Sequence, residues 1–355
     1  MPDGRSIGDV GEHSFLERLC ERLRARARDR SAPPGADLRA GGGAVLIGPG
    51  DDAAVVQPGD RPLAVTTDSL VEGVHFRAGW LTAAELGRKA VAVNLSDLAA
   101  MAATPRFVLA AVTAPGAFAA AELDALLDAC AAAADEAGAA LVGGNLTSGD
   151  ALSVTVTAIG SVEGRCLARA GARPGDRLLV TGDLGAAAAA VAERLAGRAP
   201  SPALQDRWAR PVARVAAARA LAAAGAHAAI DVSDGLLADV GHLATASGVG
   251  ARIERDRLPR LPEVAALDAA GRDYAATGGE DYELVFAIPP ALAAGGLADL
   301  AARAGVALTD VGEVVEATAG VHLVDASGRP VAPGSGSGFD HFAARTSGRD
   351  SRETR

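Results

Sequence analysis

Two rhythms of hydrophobic positions run along the chain. Short apolar or β-branched runs bounded by glycine, proline or aspartate predict strands at residues 44–47, 55–56, 63–65, 107–113, 140–142, 177–182 and 251–253. A cleanly alternating strand is predicted at 152–159. Longer alanine-rich stretches carry apolar residues at helical spacing and predict helices over 11–28, 82–103, 117–138, 186–195, 211–224 and 262–270. Strands alternating with helices in this way predict an α/β (α+β) fold. The pattern breaks near residues 163–172, where arginines and glycines interrupt it, and a domain boundary is expected there. Glycine and proline mark a loop at 29–43, and the charged tail 343–355 is expected to be disordered.

The stretch that organises the rest is Ala229-Ile-Asp231-Val-Ser233-Asp234-Gly235-Leu-Leu-Ala-Asp239. An apolar run enters it and an amphipathic segment leaves it, which predicts a buried strand turning into a helix with Ser233 as N-cap. A helix start of this kind presents backbone N–H groups to a phosphate, and paired carboxylates hold the metal ions that accompany one. Taken alone, an ordinary capping cluster explains these residues as well. Four further places read in the same way, as a strand end, a small residue and then a carboxylate or amide. They are Asp51/Asp52, Thr66/Thr67/Asp68, Asn94/Asp97 (three apart, on one helix face) and Asn145. The recurrence carries the weight, because so many carboxylates in one place repel one another unless cations lie between them. Mg²⁺ suits such oxygen ligands, together with substrate phosphates. No Walker A sequence and no protein-kinase signature occurs, so nucleotide use would run on carboxylate-held metal.

Composition narrows the choice. A chain of 355 residues exceeds what one hydrophobic core usually serves, so two domains are expected. Aromatics make up only 3 %, so the core is expected to rest on close-packed alanine helices and Val/Leu strands. A net charge of −10 argues against a nucleic-acid partner or an anionic membrane surface, but not against a phosphorylated substrate bound through Mg²⁺. Cys20, Cys130 and Cys166 are widely spaced, with no Cys-x-x-Cys, which suggests neither a zinc site nor a disulfide framework. No segment reads as a signal peptide or membrane span, and a cytoplasmic protein is expected.

Longer motifs are more specific. Gly11-Glu-His-Ser-Phe15, Gly50-Asp-Asp52, Thr66-Thr-Asp-Ser-Leu-Val-Glu-Gly-Val-His-Phe76 and Lys89-Ala-Val-Ala-Val-Asn-Leu-Ser-Asp-Leu-Ala-Ala-Met101 are followed by Ala168-Arg-Ala-Gly-Ala-Arg-Pro-Gly-Asp176. Asp231-Val-Ser-Asp-Gly235, Gly278-Gly-Glu-Asp-Tyr-Glu-Leu284 and Gly338-Phe-Asp-His-Phe342 complete the set. Through these, over nearly its whole length, the chain resembles the thiamine-monophosphate kinase family, within the superfamily of aminoimidazole-ribonucleotide synthetase and selenophosphate synthetase. The resemblance implies a two-domain architecture of the aminoimidazole-ribonucleotide-synthetase type, with residues 1–163 binding metal and ATP and forming a homodimer, and 164–342 a second α/β domain. It implies ATP-dependent, Mg²⁺-assisted phosphorylation of thiamine monophosphate to thiamine diphosphate, without a phosphoenzyme.

By the same resemblance, Asp52, Asp68, Asp97, Asp231 and Asp234 carry catalysis by holding Mg²⁺, with Thr66, Thr67 and Asn145 as further metal positions. Gly144, Asn145, Arg169 and Ser233 match nucleotide-binding positions, and His75, Glu280 and Phe339 surround the thiamine moiety. One departure stands out: the family usually has aspartate where this chain has Asn145. Asparagine keeps a carbonyl oxygen but loses the charge, so weaker binding of one Mg²⁺ is expected. The alternatives are a related ATP-dependent synthetase acting on another substrate, and a nucleotide-binding protein that has lost catalysis.

Overall fold

The structure, a computed structural model, describes residues 18–19, 21–22, 44–47, 55–57 and 59–333. Apart from helical residues 18, 19, 21 and 22, the helix expected over 11–28 lies outside the described residues. So do the loop at 29–43, Asp51, Asp52, and everything from residue 334, Phe339 included.

The N-terminal part begins with the antiparallel pair β1 (Ala44–Ile47) and β2 (Val55–Gln57). It continues through β3 (Leu63–Val71), α1 (Ala83–Ala100), β4 (Ala103–Ala114), α2 (Ala120–Glu136), β5 (Ala140–Ser148) and β6 (Ser153–Val162). The last four strands form a sheet in the order β3-β6-β4-β5, antiparallel except for β4 and β5, which α2 joins as a parallel pair. Inward residues such as Val108, Ala110, Val112, Val154, Val156 and Ala158 meet α1 and α2 in one core. The opposite face is open, with Thr67 and Ser69 hydrogen-bonded to Thr157 and Thr155 across β3 and β6.

Helix α1 starts at a capping box. Glu85 N–H donates to the Thr82 hydroxyl, and Thr82 N–H donates to the Glu85 carboxylate. Its close crossing with α2 depends on Gly87, where a Cβ would lie 2.1 Å from the Leu126 carbonyl oxygen. The helix is buried on nearly every side, because its far face is covered by the C-terminal part. There Ala99, Ala100 and Ala102 join a core with Leu179, Ala217, Ala218, Leu221 and Phe286.

The C-terminal part contains β7 (Arg177–Thr181), α3 (Ala186–Leu195), α4 (Pro202–Ala209), α5 (Val215–Ala224), β8 (Ala228–Asp231), α6 (Leu236–Ser247) and β9 (Val249–Glu254). After these come α7 (Pro262–Ala269), α8 (Tyr274–Thr277), β10 (Leu284–Ile288), α9 (Pro290–Ala294), α10 (Leu297–Ala304), β11 (Leu308–Glu316) and β12 (Val321–Val324). Its six-stranded sheet runs β12-β9-β11-β7-β10-β8, antiparallel but for β12 and β9. Short side chains dominate the interior, with Ala186, Ala187, Ala189 and Ala190 of α3 all buried. No helix among the described residues is long and apolar enough to cross a membrane.

Several sequence expectations change. Thr66, Thr67 and Asp68 do not follow a strand; they sit inside β3. Gly143, Gly144 and Asn145 likewise continue as strand within β5, because they pair in register with Leu109, Ala110 and Ala111 of β4. Gly144 is there for a packing reason, since a Cβ would lie 1.8 Å from the Ala110 carbonyl oxygen. Helix α6 begins at Leu236 with Gly235 as its N-cap, so Ser233 does not cap it. The loop N–H groups of Asp234 and Gly235 are taken instead by the Asp239 carboxylate, at 3.1 and 3.0 Å.

One buried ion pair ties β7, β10 and α5 together. Both Glu283 oxygens are engaged by Arg214, through Nε at 2.7 Å and Nη2 at 2.5 Å, and Thr181 Oγ1 donates to one of them at 2.6 Å. Removing one partner strands a buried charge, so Arg214→Met is expected to destabilise the fold by about 3 kcal/mol. Urea denaturation checks this, and a loss below about 1 kcal/mol would show the carboxylate to be satisfied without the arginine.

Candidate active site

A cleft of about 1100 Å³ opens between the two parts, and Asp68, Asp97, Arg169, Asp231, Ser233 and Asp234 line it. A smaller opening of about 370 Å³ shares Thr66, Asp97, Arg169 and Asp231 with it, so these four stand between the two spaces. Strand β3 delivers Asp68, α1 delivers Asp97, and the end of β8 and the loop after it deliver Asp231 and Asp234. Four carboxylates far apart in sequence thus meet where the domains meet.

Their hydrogen bonds cross between elements. Thr66 Oγ1 donates to Asp97 Oδ2 at 2.5 Å, fixing strand to helix. Ser96 Oγ, wholly buried, donates to Asp231 Oδ2 at 2.9 Å, fixing the N-terminal helix to the C-terminal sheet. The electrostatics follow from crowding. Burial and then Asp97 push the Asp231 carboxyl up to about 7, against the opposing pull of Ser96 and Arg169. Asp68 opens into the cleft yet rises to about 6, through partial desolvation, the neighbouring Asp97 and then Asp234. Burial, with Asp231 and Asp234 nearby, raises Asp239 to about 8 despite the two N–H groups it accepts. Ligand atoms of Asp234, Asp239 and His242 lie within 4.8 Å of one another.

Not every predicted residue joins this group. Strand alternation and pairing put Asp68 in a row with Val156, Ala110 and Gly144 on the covered face of the sheet. Asn145 falls in the other row, with Ala111, Thr155 and Ser69, on the open face and at the far edge from β3. Within one chain Asn145 therefore does not reach the cleft carboxylates. Thr67 borders the cleft, but its hydroxyl lies on the open face, donating to the Val156 carbonyl at 3.0 Å. Gly144 borders neither space. Asn94 is buried within α1, its amide donating to the Ala90 carbonyl, and is no ligand to the cleft.

Part of the cleft lining is more apolar. Val191, Ala192 and Leu195 of α3 contribute to it with Phe76, Trp80 and Tyr274, and His75 and Glu280 line the same cleft. The Nδ1 of His75 accepts from Val71 N–H at 3.0 Å. Glu280 stands at the turn of Gly278-Gly279-Glu280, with φ of 68°, in the left-handed region. A Cβ on Gly279 would lie 2.5 Å from the Ser233 carbonyl oxygen, so this loop and the Asp231–Gly235 loop are pressed together. Sequence reading missed Ser96, Asp239 and the two tryptophans. The signal for Ser96 was its place beside Asp97 in Asn94-Leu-Ser-Asp97, and for Asp239 its place one turn into the helix.

Comparison with known proteins gives the same outline. Residues 50–162 match the family model of the AIR synthase related protein, N-terminal domain, and 173–325 that of the C-terminal domain. The thiamine-monophosphate kinase of Salmonella typhimurium is 38 % identical over 347 residues, covering 94 % of this chain and 98 % of that protein. The crystal structure of thiamine-monophosphate kinase from Stenotrophomonas maltophilia K279a is 40 % identical, with a TM-score of 0.76 over 86 % of this chain and 95 % of that one. AaThiL complexed with AMPPCP and TMP is 29 % identical, with a TM-score of 0.68 over 95 % and 99 %.

Crowded carboxylates leave a mark on stability. Asp68, Asp231 and Asp239 hold their protons more tightly in the folded than in the unfolded chain. The stability this gives is complete below the ordinary carboxylate range and is lost as pH rises through about 6, 7 and 8. In EDTA-treated protein, the melting temperature of Asp231→Asn minus that of wild type is expected to climb between about pH 5 and about pH 8. A flat difference across that range would contradict the burial and repulsion assigned to Asp231.

Proposed function

We propose that this chain, which belongs to the thiamine-monophosphate kinase family, transfers the γ-phosphoryl group of ATP to the phosphate of thiamine monophosphate in the cleft between its domains. The observation that carries this is the meeting of Asp68, Asp97, Asp231 and Asp234 from both domains beside Arg169, with apolar and aromatic side chains lining the same cleft. The carboxylates suit metal-bound phosphates and the apolar wall suits an organic cation.

The donor set fits Mg²⁺, being oxygen only and too crowded to ionise fully without cations. Asp68, Asp97, Asp231 and Asp234 would hold the ions, with the Thr66 hydroxyl beside them. Bound Mg²⁺ supplies neutralisation of the charge on the transferring group. The residues do the rest by placement. Thr66 and Ser96 hold two of the carboxylates in fixed orientations, and Arg169 offers a fork of donors to a phosphate. An oxygen of the substrate phosphate forms the new bond to the γ-phosphorus as the bond to the β-bridging oxygen breaks, and ADP leaves. No base is needed, because the attacking oxygen is already ionised. Glu280 and the aromatic wall meet the cationic thiazolium and the aminopyrimidine.

We assign residues 1–163 to metal and nucleotide binding and 164–342 to the second domain, with a homodimer formed through the open face of the N-terminal sheet. Exposed Val65 and the hydroxyl row of Thr67, Ser69 and Thr155 on that face support this, as does the position of Asn145 there. The cytoplasm, with its ATP, is the compartment that suits the reaction, and Cys130 and Cys166 are free thiols.

Incubation with ATP, Mg²⁺ and thiamine monophosphate is expected to give ADP and thiamine diphosphate in equal amounts by chromatography. ADP without thiamine diphosphate would show another acceptor and overturn the reading. On this reading Asn145 serves a metal only across the homodimer, in the partner's cleft, and Asn145→Asp is expected to lower the Mg²⁺ concentration for half-maximal rate by about threefold or more, since a charged ligand replaces a neutral one. An unchanged Mg²⁺ titration would remove Asn145 from the metal site.

A further inference from the structure

Lys89 is the second-largest side chain wholly buried among the described residues, at 1 % exposure, on a helix whose buried positions are otherwise mostly small or apolar. Burial pushes its ammonium down from the ordinary lysine value, and Glu280 opposes that push. The ammonium lies 3.1 Å from Glu280 Oε1 and 5.0 Å above the Trp208 ring. Trp208 in turn donates its indole N–H to Glu280 Oε2 at 3.1 Å. Trp80 packs edge-on against Trp208 at 6.0 Å and carries the arrangement to the cleft wall.

Each oxygen of one carboxylate is therefore held by a different element, one by α1 of the N-terminal domain and one by α4 of the C-terminal domain. The backbone of Glu280 is held as well, its N–H donating to the Ser233 carbonyl at 2.8 Å. A buried ion pair is a weak means of stabilising a fold, because desolvation offsets its attraction. This one ends on a residue that lines the cleft and keeps 24 % of its side chain exposed. A carboxylate has about four lone-pair directions. The Trp208 indole N–H occupies one on Oε2, while Lys89 meets the enclosed Oε1 as a charge pair without hydrogen-bond geometry. The exposed part of the carboxylate is what a ligand can reach.

We propose that Lys89 is a positioning residue for the organic half of the substrate. Its ammonium, with the Trp208 indole N–H, holds the Glu280 carboxylate in a single orientation, and that carboxylate receives the cationic heterocycle beside the apolar wall of the cleft. The proposal rests on the function assigned above. Lys89 lines neither space and pairs only with Glu280, so its loss is expected to fall on the substrate that Glu280 receives and not on the other.

The test is steady-state kinetics of wild type, Lys89→Met, Trp208→Phe, Glu280→Gln and the Lys89→Met/Glu280→Gln double variant, with melting temperatures alongside. Lys89→Met is expected to raise KM for thiamine monophosphate about tenfold or more, the size of a lost charge-assisted contact, with KM for ATP within about twofold. Trp208→Phe is expected to act in the same direction by about threefold. In the Glu280→Gln background, Lys89→Met is expected to add less than about twofold, because both changes act through one carboxylate. Parallel increases in both KM values, additive effects in the double variant, or an unchanged KM in Trp208→Phe would each overturn the proposal and leave Lys89 a structural residue. Wild-type protein that makes no thiamine diphosphate would overturn the assigned function itself; active wild type with these patterns absent overturns only the role of Lys89.

Discussion

Repulsion among carboxylates is the constraint around which the rest of the structure is arranged. Asp68, Asp97, Asp231 and Asp234 come from two domains, and left to themselves they would drive those domains apart. Helix α1 works against this. It is buried in the N-terminal core through Leu86, Ala90, Val91 and Leu95, and in the C-terminal core through Ala99 and Ala100. From the same helix Ser96 reaches Asp231, Asp97 receives Thr66, and Lys89 reaches Glu280. The apolar contacts supply the free energy, and the polar side chains among them aim it at single oxygens.

The motif Glu280-Asp281-Tyr282-Glu283 shows how one acidic stretch divides its work. Glu280 faces the cleft and is steadied by Lys89 and Trp208. Asp281 turns the other way and accepts the Gly185 N–H at 2.7 Å, where α3 begins. Glu283 is committed to Arg214 and Thr181 inside the sheet. Glu280 and Tyr282 both have positive φ, so the chain is bent sharply enough to send neighbouring side chains in opposite directions. Three carboxylates within four residues thus belong to a cleft, a helix start and a core.

Much of this was legible in the sequence wherever a local rule decided it. Helix α1 follows from Thr82 and Glu85 at its start and apolar spacing after them. The loop at Asp231–Gly235 follows from an apolar run giving way to polar residues. What could not be read was facing. The boundaries of β3 and β5 are blurred, because both are edge strands and their exposure does not alternate cleanly. Thr66 and Thr67 look equivalent until the pairing with β6 sends one hydroxyl to Asp97 and the other to the open face. Asn145 sits in a run of motif residues, yet its register on β4 sets it apart from Asp68. Lys89 and Ser96 were hidden because a polar residue on a helix is ordinarily read as solvent-facing, and only a second domain covering that side makes them internal.

The alanine-rich packing bears on how this protein tolerates change. Ala99, Ala103, Ala134, Ala158, Ala189, Ala190 and Ala218 are all fully enclosed, and Gly87 lets two helix backbones come nearly into contact. A side chain that is already a single methyl has almost nothing to lose, so the cavities that usually accompany core mutation are scarce along these helices. Nearly every available substitution there is an enlargement, and an enlargement pushes backbones apart without leaving a hole. Because α1 carries polar side chains that hold groups of both domains, a few tenths of an ångström gained at such a contact would be passed to the cleft as misalignment. In this interior the costly change is therefore growth rather than loss, and only the smallest residues fit at these positions without moving a helix.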